Sequence, residues 1–209
     1  MDGFKFISKN EYLNIKNGIN DMILFIQKEI KSSFTFSFQF SGPCQKNMVT
    51  INESKYIGYD FNVKFYINDN KLDANDVNKI ITDAIKIYLK TNSNYELIDD
   101  LNGIRININD DNYLALKHTL DIDIYKKDNE ELLYIKYKNN NYIWAKESMG
   151  NLSLDNKYDL LIECGLKDFI KYQYIKRRNR EPNKKSIIIF EECIAAIYHE
   201  FYDNDRSFL

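Results

Sequence analysis

The chain has 209 residues, 44% hydrophobic and 14% aromatic, and 29 Lys+Arg against 31 Asp+Glu give a formal charge of −2. Two prolines and seven glycines, against roughly ten and fifteen at average usage, exclude a collagen-like, proline-linker or Gly/Ser low-complexity chain. The charge balance removes any global electrostatic case for nucleic acid or a membrane surface. No stretch approaches the roughly 18 apolar residues of a spanning helix, and three cysteines without a CxxC motif read as reduced thiols, which places the expected location in the cytoplasm without a leader peptide.

In chain order, Ser8 and Glu11 have capping-box spacing and open a helix to about Lys31, whose apolar stripe is Tyr12, Ile15, Ile19, Met22, Ile23, Ile26 and Ile30. Phe34 to Phe40 alternates phenylalanine with Thr35, Ser37 and Gln39, the pattern of a half-buried strand that Ser41-Gly42-Pro43 ends. A polar loop runs to about Ser54. Tyr59 to Ile67 is a second strand, with Asp60, Asn62 and Lys64 on its polar face. Asp73 and Asp76 open a second helix with Val77, Ile80, Ile81, Ala84, Ile85 and Tyr88 inward. Strands are expected at Ile104–Ile108 and at Thr119–Tyr125, where Asp121 and Asp123 alternate with Leu120, Ile122 and Ile124. Leu132–Lys138 and Tyr142–Lys146, joined by three asparagines, read as a hairpin. Three helices complete the chain, at about Leu154–Cys164, Leu166–Arg177 and Ser186–Phe201. The order predicts an α+β fold: a mixed sheet packed by helices over residues 1–150, with a helical region over 151–209.

Aspartate is depleted in strands, so Asp60, Asp121 and Asp123 stand out. If their strands are neighbours, the three carboxylates converge on one surface and offer a site for Mg²⁺ or Mn²⁺. A solvated sheet face whose acids discourage edge pairing is the alternative. Six basic residues between 176 and 186 form a second feature. Lys184 and Ser186 stand at the start of the last helix, where amides and dipole favour phosphate. Arg177, Arg178 and Arg180 either extend that patch toward RNA or a protein partner, or form a solvated helix end. His118 has no Cys or His partner for a zinc site and reads as structural.

Five segments in order give this chain a resemblance to the polymerase-beta-type nucleotidyltransferase superfamily, and within it to small bacterial cyclic-GMP-AMP-synthase-like and oligoadenylate-synthase-like enzymes. They are Ser41-Gly42-Pro43-Cys44-Gln45-Lys46-Asn47-Met48, Gly58-Tyr59-Asp60-Phe61-Asn62, Gly103-Ile104-Arg105-Ile106, His118-Thr119-Leu120-Asp121 and Glu181-Pro182-Asn183-Lys184-Lys185-Ser186. The resemblance implies transfer of a nucleoside monophosphate from an NTP to a hydroxyl with two Mg²⁺ ions. Asp60 and Asp121 would ligate metal, Asn62 would stand at the second acid of the pair, and Asp123 is the available substitute ligand. Gly42, Pro43 and Lys46 would lie near the triphosphate, with Lys184 and Ser186 as further phosphate contacts. Two departures weaken the implied activity. Pro43 supplies neither the hydroxyl nor the N–H of the expected serine, and Asn62 offers a neutral carbonyl in place of a carboxylate. The alternative on the same fold is a non-catalytic nucleotide-sensing or partner-binding module.

Overall fold

A computed structural model describes residues 3–69, 71–100, 103–109, 116–129, 131–146 and 153–203. Nine strands and six α-helices occur among them: β1 (Lys5–Phe6), α1 (Lys9–Glu29), β2 (Phe36–Ser41), α2 (Gly42–Gln45), β3 (Thr50–Ile51), β4 (Ile57–Ile67), α3 (Ala74–Leu89), β5 (Tyr95–Asp100), β6 (Gly103–Asn109), β7 (Lys117–Asp128), β8 (Glu131–Lys138), β9 (Asn141–Lys146), α4 (Leu154–Glu163), α5 (Lys167–Arg180) and α6 (Ser186–Tyr198). The α+β class and the C-terminal helices expected from the residue patterns are the ones found.

The main sheet runs β2-β4-β7-β6-β5, and β8 and β9 continue from the far end of β7. β4 and β7 are parallel, the other pairs antiparallel, so the sheet is mixed. Strand alternation sorts the two faces. Phe61, Val63 and Phe65 of β4, Leu120 and Ile122 of β7 and Ile106 of β6 pack against α1 and α3 in one core. Full burial of each such side chain contributes about 1.5–3 kcal/mol. The opposite face carries Asp60, Asn62, Asp121 and Arg105, and the C-terminal helices lie against it with their own core of Tyr158, Leu161, Ile170, Tyr174, Phe190 and Ile194.

Several local signals translate directly. Glu11 accepts the Ser8 N–H at 2.7 Å, which is one half of the capping box at α1. Asp73 caps α3 by accepting from the Asn75 N–H at 2.8 Å. Asn139 and Asn140 take positive φ of 51° and 63° in the β8–β9 turn, where asparagine tolerates left-handed backbone best after glycine.

The loop expected from 41 to 54 is more structured than its polarity indicates. It holds α2 and β3, and β3 pairs with β1 in a separate two-stranded sheet. β5 also escaped the pattern, because Glu96, Asp99 and Asp100 interrupt its alternation; it is an edge strand paired only to β6. The last helix ends at Tyr198 and continues as one π turn over His199–Asp203. No helix among the described residues is long and apolar enough to cross a membrane.

All three cysteines are unpaired: Cys44 and Cys193 are buried, in the sheet core and the helical core respectively, and Cys164 is exposed. Burial pushes the Cys44 and Cys193 thiols up to about 11, so at pH 8 both remain protonated and unreactive. An aromatic disulfide reagent should therefore titrate one thiol in the native protein and three after denaturation. Rapid labelling of a second thiol in the native state would show that one of the two cores is open.

Candidate functional site

The register of the sheet assembles the site. Ser41 of β2 stands opposite Asn62 of β4, Asn62 opposite Asp121 of β7, and Asp121 opposite Arg105 of β6. Four polar residues thus form one row across four strands. Asp60, two residues before Asn62, shares its face and pairs in register with Thr119. A one-residue slip in any strand would turn its member of the row into the core.

Both candidate metal ligands already hold protein cations. Asp121 accepts two hydrogen bonds from Arg105, from Nε to Oδ1 at 2.8 Å and from Nη2 to Oδ2 at 2.9 Å, and Lys185 Nζ reaches Oδ1 at 3.2 Å. Paired donors in this fork geometry make a strong, oriented ion pair. Asp60 accepts from Thr119 Oγ1 at 2.7 Å on one oxygen and from Arg178 Nη2 at 3.1 Å on the other. Every carboxylate oxygen of Asp60 and Asp121 is therefore engaged. Asn62 is buried, and its Nδ2 has no acceptor. This donor set does not fit a two-metal centre: the acids are neutralised by three protein cations, and the intervening position presents an amide. No cluster of three or more His, Cys, Asp or Glu suited to a metal occurs among the described residues. Asp123 lies one step further along β7, opposite Lys64.

Arg178 corrects the sequence-based reading. It is neither a solvated helix end nor available to a nucleic-acid backbone, because only 1% of its surface is exposed. Its guanidinium binds Asp60, donates from Nη1 to the Lys184 carbonyl at 2.9 Å and stacks 4.0 Å over the Phe4 ring. The signal was present: Ile170, Tyr174 and Arg178 recur at intervals of four, so the arginine continues the buried stripe of α5. Lys185 and Arg105, each quoted within a matching segment but given no role, are the other residues missed.

The expected phosphate-binding residues are differently placed. Gly42 has a φ of +63° and opens α2, with Pro43 in the first helical turn, where a missing N–H leaves no broken helical bond. Gly42, Pro43 and Cys44 are all buried. Ile187 of α6 covers the turn, and a Cβ on Gly42 would lie 3.1 Å from Ile187 Cγ1. Lys46 pairs with Asp155 at 2.9 Å and lies over the Tyr158 ring, facing α4. Lys184 is held by Glu192 and Glu181, whose carboxylates raise its ammonium above the ordinary lysine range. Ser186 is buried beneath the same helix start. His118 is structural: its Nδ1 accepts the Tyr59 N–H at 2.9 Å, in full burial.

The fold is that of known nucleotidyltransferases. Vibrio cholerae DncV cyclic AMP-GMP synthase in complex with a linear intermediate matches with a TM-score of 0.56 at 13% identity, over 79% of this chain and 60% of that one. A further structure of the same enzyme, described as a prokaryotic cGAS homolog, matches with a TM-score of 0.57 at 12% identity, over 80% and 60% of the two chains. The Bradyrhizobium diazoefficiens CD-NTase CdnG in complex with GTP matches with a TM-score of 0.50 at 10% identity, over 73% and 42%. This chain thus spans about 60% of the length of the first of these structures. No protein-family model and no curated protein sequence matches it, so the likeness rests on structure.

Removing the Asp60 charge should leave Arg178 buried without compensation. Asp60→Asn is expected to destabilise the protein by about 3 kcal/mol in urea unfolding, and Arg178→Met by a similar amount. The double variant should fall short of the sum by at least about 1 kcal/mol. Strict additivity would mean that the pair contributes nothing.

Proposed function

We propose that this chain is a nucleotidyltransferase-fold protein whose transfer chemistry is silenced and whose remaining activity is to bind a nucleotide. The observation that carries the reading is the neutralisation of Asp60 and Asp121 by Arg178, Arg105 and Lys185. Two-metal transfer needs carboxylates free to bridge ions between triphosphate and nucleophile. Here each acid would have to exchange an internal cation for Mg²⁺ or Mn²⁺, with Asn62 supplying no charge between them.

Two further features support the reading. Ile187 occupies the space over Gly42, where the fold family would seat terminal phosphates, and Pro43 withholds the amide and the hydroxyl. Asp123 is no simple replacement, since it lies beyond Asp121 on β7 and opposite Lys64. An RNA or protein partner on the 176–186 run is less well supported. Arg178 is buried, and Lys184 and Lys185 are engaged with acids, leaving the exposed Lys176 and Arg180 and the half-buried Arg177 as the remaining cations of that run. Three unpaired cysteines suit a reducing compartment such as the cytoplasm.

The test is incorporation of labelled NTPs by the purified chain with Mg²⁺ or Mn²⁺. No product is expected from any of the four NTPs. Joint replacement Pro43→Ser, Asn62→Asp and Lys185→Ala is expected to bring activity above background if silencing acts through these positions. Robust product from the unaltered chain, lost in Asp60→Ala, would sink the proposal.

A further inference from the structure

Lys185 lines two clefts on the polar face of the sheet. The one beside Asp60 has a volume of about 540 Å³, inside the range of roughly 300–1,000 Å³ typical of small-molecule sites. Its walls bear six cations, Lys55, Arg105, Lys117, Arg178, Lys184 and Lys185, against one acid, Asp60. Four of the six are matched by carboxylates: Arg105 and Lys185 by Asp121, Arg178 by Asp60, and Lys184 by Glu181 and Glu192. Lys55 and Lys117 have no carboxylate partner among the described residues, and the described lining of the cleft is positively charged.

Two observations indicate what that charge receives. Arg178 is 99% buried, lines the cleft, and has an Nε with no acceptor. A buried donor left without an acceptor costs about 1–3 kcal/mol; Nε itself is out of solvent contact, so Arg178 acts on the cleft through its charge. Tyr56 stands at the rim with 60% of its surface exposed, in left-handed backbone (φ 56°), its carbonyl accepting the Lys117 N–H at 3.1 Å. An exposed aromatic beside a cationic groove is the arrangement that stacks a base while lysines hold its phosphates.

We propose that this cleft binds a nucleoside polyphosphate directly through protein cations, with no divalent ion, the phosphates toward Lys55, Lys117 and Lys185 and the base on Tyr56. The inference rests on the preceding reading that Asp60 and Asp121 are not metal ligands. Charge neutralisation that Mg²⁺ provides elsewhere is here supplied by side chains. Added Mg²⁺ therefore competes for the phosphates instead of assisting.

Titration calorimetry on the full chain with GTP, ATP and inorganic triphosphate, each in EDTA and in Mg²⁺, is the test. Binding is expected in EDTA, undiminished or stronger than in Mg²⁺, and weakening with salt. The surface variant Lys55→Ala/Lys117→Ala should lose about tenfold or more for all three ligands. Tyr56→Ala should lose roughly fivefold or more for the nucleotides and nothing for triphosphate. Binding seen only with Mg²⁺, binding indifferent to the lysine pair, or no heat at millimolar ligand would each overturn the proposal. Equal losses of nucleotide and triphosphate in Tyr56→Ala would remove the base from it, and a single-stranded RNA that displaces GTP would reassign the cleft to nucleic acid. The two readings fail separately. NTP incorporation alongside binding in EDTA defeats silencing alone, whereas Mg²⁺-dependent binding without incorporation defeats this cleft alone.

Discussion

The ion pair between Arg178 and Asp60 is the constraint on which the rest of the molecule depends. It joins the centre of the sheet to α5, and the same guanidinium fixes the α5–α6 turn through the Lys184 carbonyl and the N-terminal segment through Phe4. Desolvating such a pair is expensive, and it persists because geometry and supplementary hydrogen bonds compensate. Thr119 provides one of these to Asp60. The helical core therefore does not rest on the sheet through apolar contact alone. It is keyed to Asp60 through Arg178 and to Asp121 through Lys185.

That key has a chemical consequence. In a two-metal enzyme the acids on adjacent parallel strands are held apart in charge until ions arrive, and the protein tolerates their repulsion in the apo state. Here the repulsion is absent, since each acid has its own cation. Stability and catalysis would then compete for the same oxygens. In this chain those oxygens are engaged by protein cations, and the amide of Asn62 lies buried between the two acids.

Much of the fold was legible in the residues. Alternation located β2, β4, β6, β7 and the β8–β9 hairpin, and helical stripes located α1, α3 and the three C-terminal helices. These segments are regular because they bury one face against a core, and periodicity records burial. β1, β3 and α2 are two to four residues long, too short to display a period, and β5 is an edge strand whose alternation acidic residues interrupt. For the site, the strand register brings Asp60, Asn62 and Asp121 onto one face. The pattern held no information about which cations approach from outside the strands. Arg178 arrives from a helix 118 positions away in sequence and Lys185 from 64. Such pairings are set by tertiary packing, which a linear motif does not encode; only the four-residue spacing of Ile170, Tyr174 and Arg178 marked the arginine as inward-facing.

The row Ser41–Asn62–Asp121–Arg105 is written in backbone register, whereas Lys185, which reaches its acid from outside the sheet, is a side chain at the end of a flexible stem. The frame and its occupants are thus separable layers. Altering Lys185 alone changes what Asp121 holds without re-threading any strand. A scaffold built this way can move between a charged, ion-hungry surface and a self-satisfied one by a handful of substitutions, keeping its topology throughout.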